Sequence, residues 1–106
     1  MQETGLPNQR RGCHLVEMVK MPQIANFFGI IIRMYFGDHR PPHFHAEYQG
    51  QRATFDFNGN LLRGEISSRT VSRLIKTWAT QRQRELLTNW NNGQRGLPLS
   101  RIAPLE

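Results

Sequence analysis

The sequence of 106 residues has a single cysteine and no apolar run long enough to span a membrane. Cys13 cannot form a disulfide within the chain, and such cysteine usage is typical of a reducing compartment. The longest apolar run, residues 27–32, is interrupted by Gly29 and falls far short of the roughly 18 residues of a membrane helix. Residues 1–20 also lack the apolar stretch of a secretory signal. These absences predict a cytoplasmic protein that does not associate with membranes.

Acidic residues are also few. The chain has 8 aspartates and glutamates and 14 lysines and arginines, which gives a net charge of +6. Twelve of these basic residues are arginine, whose planar guanidinium contacts phosphate or carboxylate groups at two points. The excess favours attraction to polyanions or to an acidic protein partner. Hydrophobic residues make up 38% of the chain, which suits a folded protein with one small core.

A change of composition divides the chain near residue 21. Residues 1–20 are polar and contain Gly5, Pro7 and Gly12, so we predict a flexible N-terminal extension there. Residues 21–106 show the regular spacing of hydrophobic residues that is typical of strands and helices, and they are predicted to form a single α+β domain. Cys13 and His14 lie in the extension and are therefore excluded from any site.

The first half of this domain predicts strands. Residues 29–36 are β-branched and aromatic, and residues 43–48 and 52–57 alternate strictly between apolar and polar side chains. Gln49 and Gly50 separate the last two segments and are typical of a tight hairpin turn. Residues 61–66 follow another turn and favour a short further strand. The expected structure is a small antiparallel sheet of three to four strands.

The second half predicts one long helix that packs on one face of this sheet. Ser67 and Ser68 are candidate N-caps, and Asn92-Gly93 is a typical helix end. At about 100° per residue, several apolar side chains fall on one side of the helix. They are Val71, Leu74, Ile75, Trp78, Leu86 and Trp90. A break around residues 80–82, giving two helices, is the alternative, and the tail from residue 96 is predicted to run extended along the surface.

The most unusual stretch is GDHRPPHFHAE, residues 37–47, which holds three of the four histidines. Because successive side chains of a strand point to opposite faces, His43 and His45 share one face while Phe44 and Ala46 share the other. The aromatic face is expected to pack beneath the helix. The opposite face is expected to be open and polar, with His43, His45, Glu47, Thr54, Asp56, Arg33 and Tyr35.

A divalent metal site is one hypothesis for this polar face. Histidines at positions i and i+2 of a strand lie roughly 7 Å apart at the backbone, close enough to bind one ion. Asp38 or His39 in the preceding loop is a candidate third ligand, and Glu47 or Asp56 a fourth. The hypothesis concerns zinc or another divalent metal, whereas the other hypotheses require no cofactor.

Acid–base catalysis on RNA is the second hypothesis. Cleavage through the 2′-hydroxyl needs a base, an acid and positive charge for the phosphorane, and histidine titrates near neutral pH. The candidate catalytic residues are His39, His43 and His45, with Arg33 and Arg40 for charge and Tyr35 as a donor. A third hypothesis is a non-catalytic protein-interaction domain, since tyrosine, tryptophan and arginine are enriched at interface hot spots.

Several segments share a pattern with one protein family. They are residues 21–24 (MPQI), 29–36 (GIIIRMYF), 38–48 (DHRPPHFHAEY), 78–79 (WA), 84–90 (RELLTNW) and 98–105 (PLSRIAPL). From residue 21 to 106 the chain therefore resembles a family of short, mainly bacterial proteins classed as a domain of unknown function. The resemblance implies one component, toxin-like, of a toxin–antitoxin module. It further implies a small cognate protein partner and RNA as a target. We take the cluster of His39, His43 and His45 as the functional centre of such a protein.

Overall fold

The computed structural model describes residues 21–105, which contain five strands and two helices. The strands are β1 (Gln23–Phe27), β2 (Ile30–Arg33), β3 (His43–Tyr48), β4 (Gln51–Asp56) and β5 (Leu61–Gly64), and the helices are α1 (Arg69–Gln81) and α2 (Gln83–Gln94). Each strand pairs antiparallel with the next in sequence, so the sheet order is β1-β2-β3-β4-β5. The predicted α+β class is confirmed. The flexible extension predicted for residues 1–20 lies outside the described residues.

The prediction of three to four strands is wrong because it omits β1. This strand pairs with β2 through a two-residue turn at Phe28 and Gly29, both of which have positive φ, 53° and 78°. Such a turn matches the twist of the flanking strands. Phenylalanine is not a usual turn residue, so residues 27–32 read as one apolar segment in the sequence. The predicted turn at Gln49 and Gly50 is confirmed, and both residues there have positive φ as well.

The prediction of one long helix is also wrong, and the alternative of a break is what the structure shows. α1 ends at Gln81, and Arg82 has φ −117° and ψ 23° before α2 begins. The hydroxyl of Thr80 donates to the carbonyls of Lys76 and Thr77, one turn earlier. Such side-chain bonds compete with the helical ladder and bend helices, and those of Thr80 lie directly before the break.

The helices cover one face of the sheet, as the alternation predicts. Trp78 of α1 is fully buried and lies 5.5 Å from the ring of Phe44, which in turn stacks on Phe55. The helix stripe is confirmed, since Val71, Ile75, Leu86 and Trp90 are buried and Leu74 packs against the core. Ser68 caps α1, and its hydroxyl accepts the backbone N–H of Val71 at 3.1 Å. No helix in the described part of the chain has the length and apolar character to cross a membrane.

The segment after α2 has no regular secondary structure and is mostly exposed, as predicted, but it inserts one side chain into the core. Ile102 is buried, and its backbone N–H donates to the carbonyl of Ile24 on β1 at 2.7 Å. The indole N–H of Trp78 donates to the carbonyl of Ala103 at 2.8 Å. This covering segment, residues 97–105, therefore bonds to β1 at Ile24 and completes the bonding of the buried tryptophan.

Exchange of Asn89 for alanine is expected to detach the covering segment. Asn89 is 1% exposed, its amide nitrogen donates to the carbonyl of Ser100, and its amide oxygen accepts the N–H of Ser100, both at 2.8 Å. Loss of both bonds leaves two backbone groups without partners, which costs about 2–3 kcal/mol in the free energy of unfolding. Urea denaturation measures this loss. The exposed Asn91 on the same helix is the control, and an equal effect of Asn91→Ala would contradict the assignment.

Candidate functional site

His43 and His45 project from the first half of β3 onto the same face of the sheet, as predicted. His43 pairs with Asp56 and His45 with Thr54 in the β3–β4 register, and the two imidazole rings lie 5.1 Å apart. The expectation of an open position holds for His45, which is half-buried, but is wrong for His43, which is only 9% exposed. The cause is Trp90 of α2, whose ring lies 5.3 Å from that of His43.

Asp38 bridges the two histidines from the preceding loop. Its Oδ2 lies 2.8 Å from Nε2 of His43 and 3.1 Å from Nε2 of His45, while its Oδ1 accepts the backbone N–H of His39 at 2.8 Å. Burial by itself raises the pKa of Asp38. The hydrogen bonds from His45 and His39, with the charge and hydrogen bond of His43, outweigh this and hold the pKa below its ordinary value. Asp38 is therefore an ionised carboxylate at neutral pH.

The loop that carries Asp38 is fastened to the end of α2. The backbone N–H of Gly37 donates to the carbonyl of Gly93 at 3.2 Å, and the side chain of Gln94 donates to the carbonyl of Asp38 at 3.0 Å. Gly37 has φ 63°, a left-handed conformation that glycine adopts without steric cost. The position of the carboxylate thus depends on a helix more than fifty residues further along the chain.

Exchange of Gly37 for alanine is expected to lower the free energy of unfolding by about 1–2 kcal/mol, the cost of left-handed backbone for a residue with Cβ. No atom lies within 4 Å of the added methyl group, so the loss comes from φ alone. Gly50→Ala is a matched control, because Gly50 has φ 82° and equally open surroundings in the distant β3–β4 turn. Urea denaturation should give similar losses for both variants. A loss at Gly50 without a loss at Gly37 would show that the Asp38 loop does not hold this backbone conformation.

The second ring nitrogen of each histidine, Nδ1, also lies close to a polar group. Nδ1 of His43 lies 2.6 Å from the carbonyl of Pro41, and because a carbonyl can only accept, Nδ1 carries a proton and donates it. Nδ1 of His45 lies 3.4 Å from the hydroxyl of Thr54, and the ring stacks on Tyr35 with centroids 4.3 Å apart. Both rings are therefore held in orientation from the side that faces away from Asp38.

The cluster of Asp38, His43 and His45 lines a cleft of about 280 Å³. Arg40 and Arg63 stand at its rim, and both are exposed. The remaining lining residues are His39, Pro41, Thr54 and Leu62. A half-buried carboxylate and two imidazoles thus line the same cleft as two exposed guanidinium groups, a residue type that contacts anionic groups at two points.

The structure separates the predicted site residues into two groups. The first group lies at the cleft. It consists of the cluster of Asp38, His43 and His45, of Tyr35 beside His45, and of Arg40 and the exposed His39 in the cleft lining. The side chain of His39 does not belong to the group of converging ligand atoms, which consists of Asp38, His43 and His45 among the described residues.

The other predicted charges are already engaged. Nε of Arg33 donates to Glu47 at 3.1 Å, and its Nη1 donates to the carbonyl of Met21 at 3.0 Å. Asp56 accepts the backbone N–H groups of Asn58 and Asn60 in the turn before β5. Arg33 lies beside His45 in the β2–β3 register, yet its charge is directed toward Glu47. Neither acidic candidate for a fourth ligand joins the cluster.

Three residues of the site are not predicted from the sequence, namely Leu62, Arg63 and Trp90. Arg63 pairs with Thr54, but the next pair is Phe55 with Leu61, so Leu62 is an extra residue in a β-bulge. Without the bulge Thr54 would pair with Leu62, so the bulge is what places Arg63 opposite Thr54 on the histidine face. Trp90 matches the helix stripe, and its additional contact with His43 has no signal in the sequence.

The fold and the site together define a small α+β protein with a two-histidine, one-carboxylate cluster beneath an arginine-rimmed cleft. The chain belongs to the family described as Domain of unknown function (DUF4160), whose model matches residues 29–91, more than half of the chain. The matched segment contains all the residues of the cluster and the cleft. Searches of the curated proteins and of the solved structures gave no match.

Proposed function

We propose that this protein is the toxin-like component of a toxin–antitoxin module and that it cleaves RNA in the cleft above Asp38, His43 and His45. The observation that carries the proposal is the placement of Arg40 and Arg63 at the rim of a cleft whose base holds an ionised carboxylate and two imidazoles. Guanidinium groups bind phosphodiester oxygens, and the groups beneath them are of the type that transfers protons at neutral pH.

The proposed reaction is attack of a ribose 2′-oxygen on the adjacent phosphorus. The Asp38–His43–His45 cluster supplies the base that takes the proton of the 2′-hydroxyl, and His39 donates a proton to the departing 5′-oxygen. Arg40 and Arg63 neutralise the charge that grows on the phosphoryl oxygens. The products are a 2′,3′-cyclic phosphate and a free 5′-hydroxyl, so the reaction needs no external oxidant or reductant.

Induced expression tests this function in cells. Wild-type protein is expected to arrest growth and fragment cellular RNA, whereas the His45→Ala variant is expected to allow growth like that of an empty vector. Asn91→Ala, an exposed change on α2, is the control and should behave like wild type. Equal growth in all cultures, with intact RNA, would falsify the proposal.

A purified-protein assay tests the chemistry. Single-stranded RNA should give fragments that end in a cyclic phosphate, and a single 2′-deoxy substitution should protect the bond that follows it. Cleavage of the 2′-deoxy position at the same rate as the ribose position would exclude attack by the 2′-oxygen.

A cognate protein partner is the second element of the proposal. The net charge of +6 favours an acidic partner, because opposite charges steer association. Co-expression with the product of the neighbouring gene is expected to restore growth, and the two proteins should co-purify. If the partner co-purifies while RNA stays intact in every culture, the protein is instead a non-catalytic interaction domain.

A further inference from the structure

We propose that Asp38, His43 and His45 bind one divalent transition-metal ion, with zinc as the best match. The ligand atoms are Oδ2 of Asp38 and Nε2 of both histidines. The inference deepens the proposed function, because it names the group through which the cluster supplies a base. It also stands without that function, since ion binding and RNA cleavage are measured separately.

The first argument is convergence. The three ligand atoms lie within 4.8 Å of one another, and Oδ2 is 2.8 Å from one Nε2 and 3.1 Å from the other. Ligand atoms about 2.0–2.1 Å from a tetrahedral zinc ion are about 3.3 Å apart. Both Oδ2–Nε2 distances therefore need to lengthen by only a few tenths of an ångström to reach this spacing.

The second argument is the pattern of hydrogen-bond donors and acceptors around His43. Nδ1 donates its proton to the carbonyl of Pro41, which in the neutral imidazole leaves the lone pair of Nε2 directed at the ionised carboxylate of Asp38. Two acceptors 2.8 Å apart repel each other unless a proton or a metal ion lies between them. A proton on Nε2 satisfies both atoms when no metal is bound, and a divalent ion would take the place of that proton. Donation of the outer N–H to a backbone carbonyl is also the usual arrangement of metal-binding histidines.

The third argument is that the other two ligands are oriented in the same way. Oδ1 of Asp38 is held by the backbone N–H of His39, which leaves Oδ2 directed toward the histidines. Nδ1 of His45 lies 3.4 Å from the hydroxyl of Thr54, and a hydroxyl can accept from Nδ1 in the tautomer that has its lone pair on Nε2. Each ligand residue thus uses its outer atom for orientation and presents its inner atom to the same point.

The choice of metal follows from the donor atoms. Two imidazole nitrogens and one carboxylate oxygen suit zinc, nickel, cobalt, manganese or iron(II) rather than calcium or magnesium, which prefer oxygen ligands alone. Three protein ligands leave a fourth position for water, as in catalytic zinc sites. A water on zinc has a pKa of about 7, so it supplies the base that the proposed reaction requires.

Titration of untagged, chelator-stripped protein with zinc chloride tests the site. Calorimetry is expected to show one zinc ion per chain for wild type. The affinity of His43→Ala and Asp38→Asn for zinc should be weaker by roughly 100-fold or more, because loss of a residue that merely supports a ligand already lowers metal affinity 10–100-fold. Since alanine at residue 43 could also affect folding, Asp38→Asn, which keeps the side-chain shape, is the second variant. His39→Ala should keep the wild-type affinity, because His39 is not among the ligands. Cobalt(II) should give the visible absorption of a four-coordinate ion in wild type only.

The outcomes separate the two proposals. One ion per chain without RNA cleavage supports the metal site and refutes the cleavage. RNA cleavage by stripped protein that binds no zinc supports the cleavage and overturns the metal site. Zinc uptake that is equal in wild type, His43→Ala and Asp38→Asn also overturns it, because the ion would then be bound elsewhere.

Discussion

Replacement of Arg40 and Arg63 together by glutamate is expected to weaken binding of single-stranded RNA by roughly 100-fold, since a hydrogen bond to a charged group contributes about 1.5–3 kcal/mol. Both side chains are exposed at the rim of the cleft, so the exchange removes two phosphate-binding groups without opening the core. The slope of log K against log salt concentration should also fall by about one for each phosphate that the variant no longer neutralises. Fluorescence anisotropy at several salt concentrations measures both quantities.

The control for this experiment has the same change in net charge. Arg69→Glu with Arg84→Glu places two glutamates on exposed helix positions outside the cleft. If the cleft binds RNA, this control keeps most of the wild-type affinity because only the general attraction of the protein is reduced. Equal loss of affinity in both double variants would mean that RNA is attracted by net charge alone, and the cleft would lose its assigned role.

Replacement of Trp78 by alanine is expected to have the largest effect on stability, about 3–5 kcal/mol for the loss of a buried tryptophan. Trp78 is fully buried between Phe27 and Phe44, with ring centroids at 5.4 and 5.5 Å. The exchange also deprives the carbonyl of Ala103 of its donor. Domains of this size are typically stable by only roughly 5–15 kcal/mol, so a large part of the stability is lost.

Urea denaturation followed by far-ultraviolet circular dichroism measures this effect. Leu87→Ala is the control, because Leu87 lies on α2 and is 49% exposed. We expect a shift of the unfolding midpoint for Trp78→Ala and a change of less than about 1 kcal/mol for Leu87→Ala, as for surface positions in general. A small effect at Trp78 would contradict the packing of α1 on the sheet.

Strict alternation is the part of the fold that the sequence predicts well. β3 and β4 alternate without interruption, and their turn contains glycine, so the face of every side chain follows from its position. β1 is not predicted from the sequence because the turn that follows it contains Phe28, which is not a usual turn residue. At the division of the helix, Arg82 donates to the carbonyl of Pro104 in the covering segment, a tertiary contact that leaves no signal in the local sequence.

The candidate site is predictable only as far as local geometry extends. Two histidines at i and i+2 must share a face, and the structure confirms this inference. The choice between Asp38 and His39 depends on how the loop is held by Gly93 and Gln94, which are distant in sequence. Arg63 reaches the cleft through a bulge, which shifts the register by one residue. Long-range contacts and register shifts of this kind leave no periodic signal.

The covering segment has a consequence for synthesis on the ribosome. β1 is made first among the described elements, yet Ile102, which bonds to Ile24 of β1, and Ala103, which completes the bonding of Trp78, are made last. Until this segment is made, the Ile24 carbonyl on β1 lacks its partner, and the indole of Trp78 lacks its acceptor from the time α1 is translated. Unpaired edges recruit other strands, so slow translation of residues 97–105 should increase aggregation of the newly made protein.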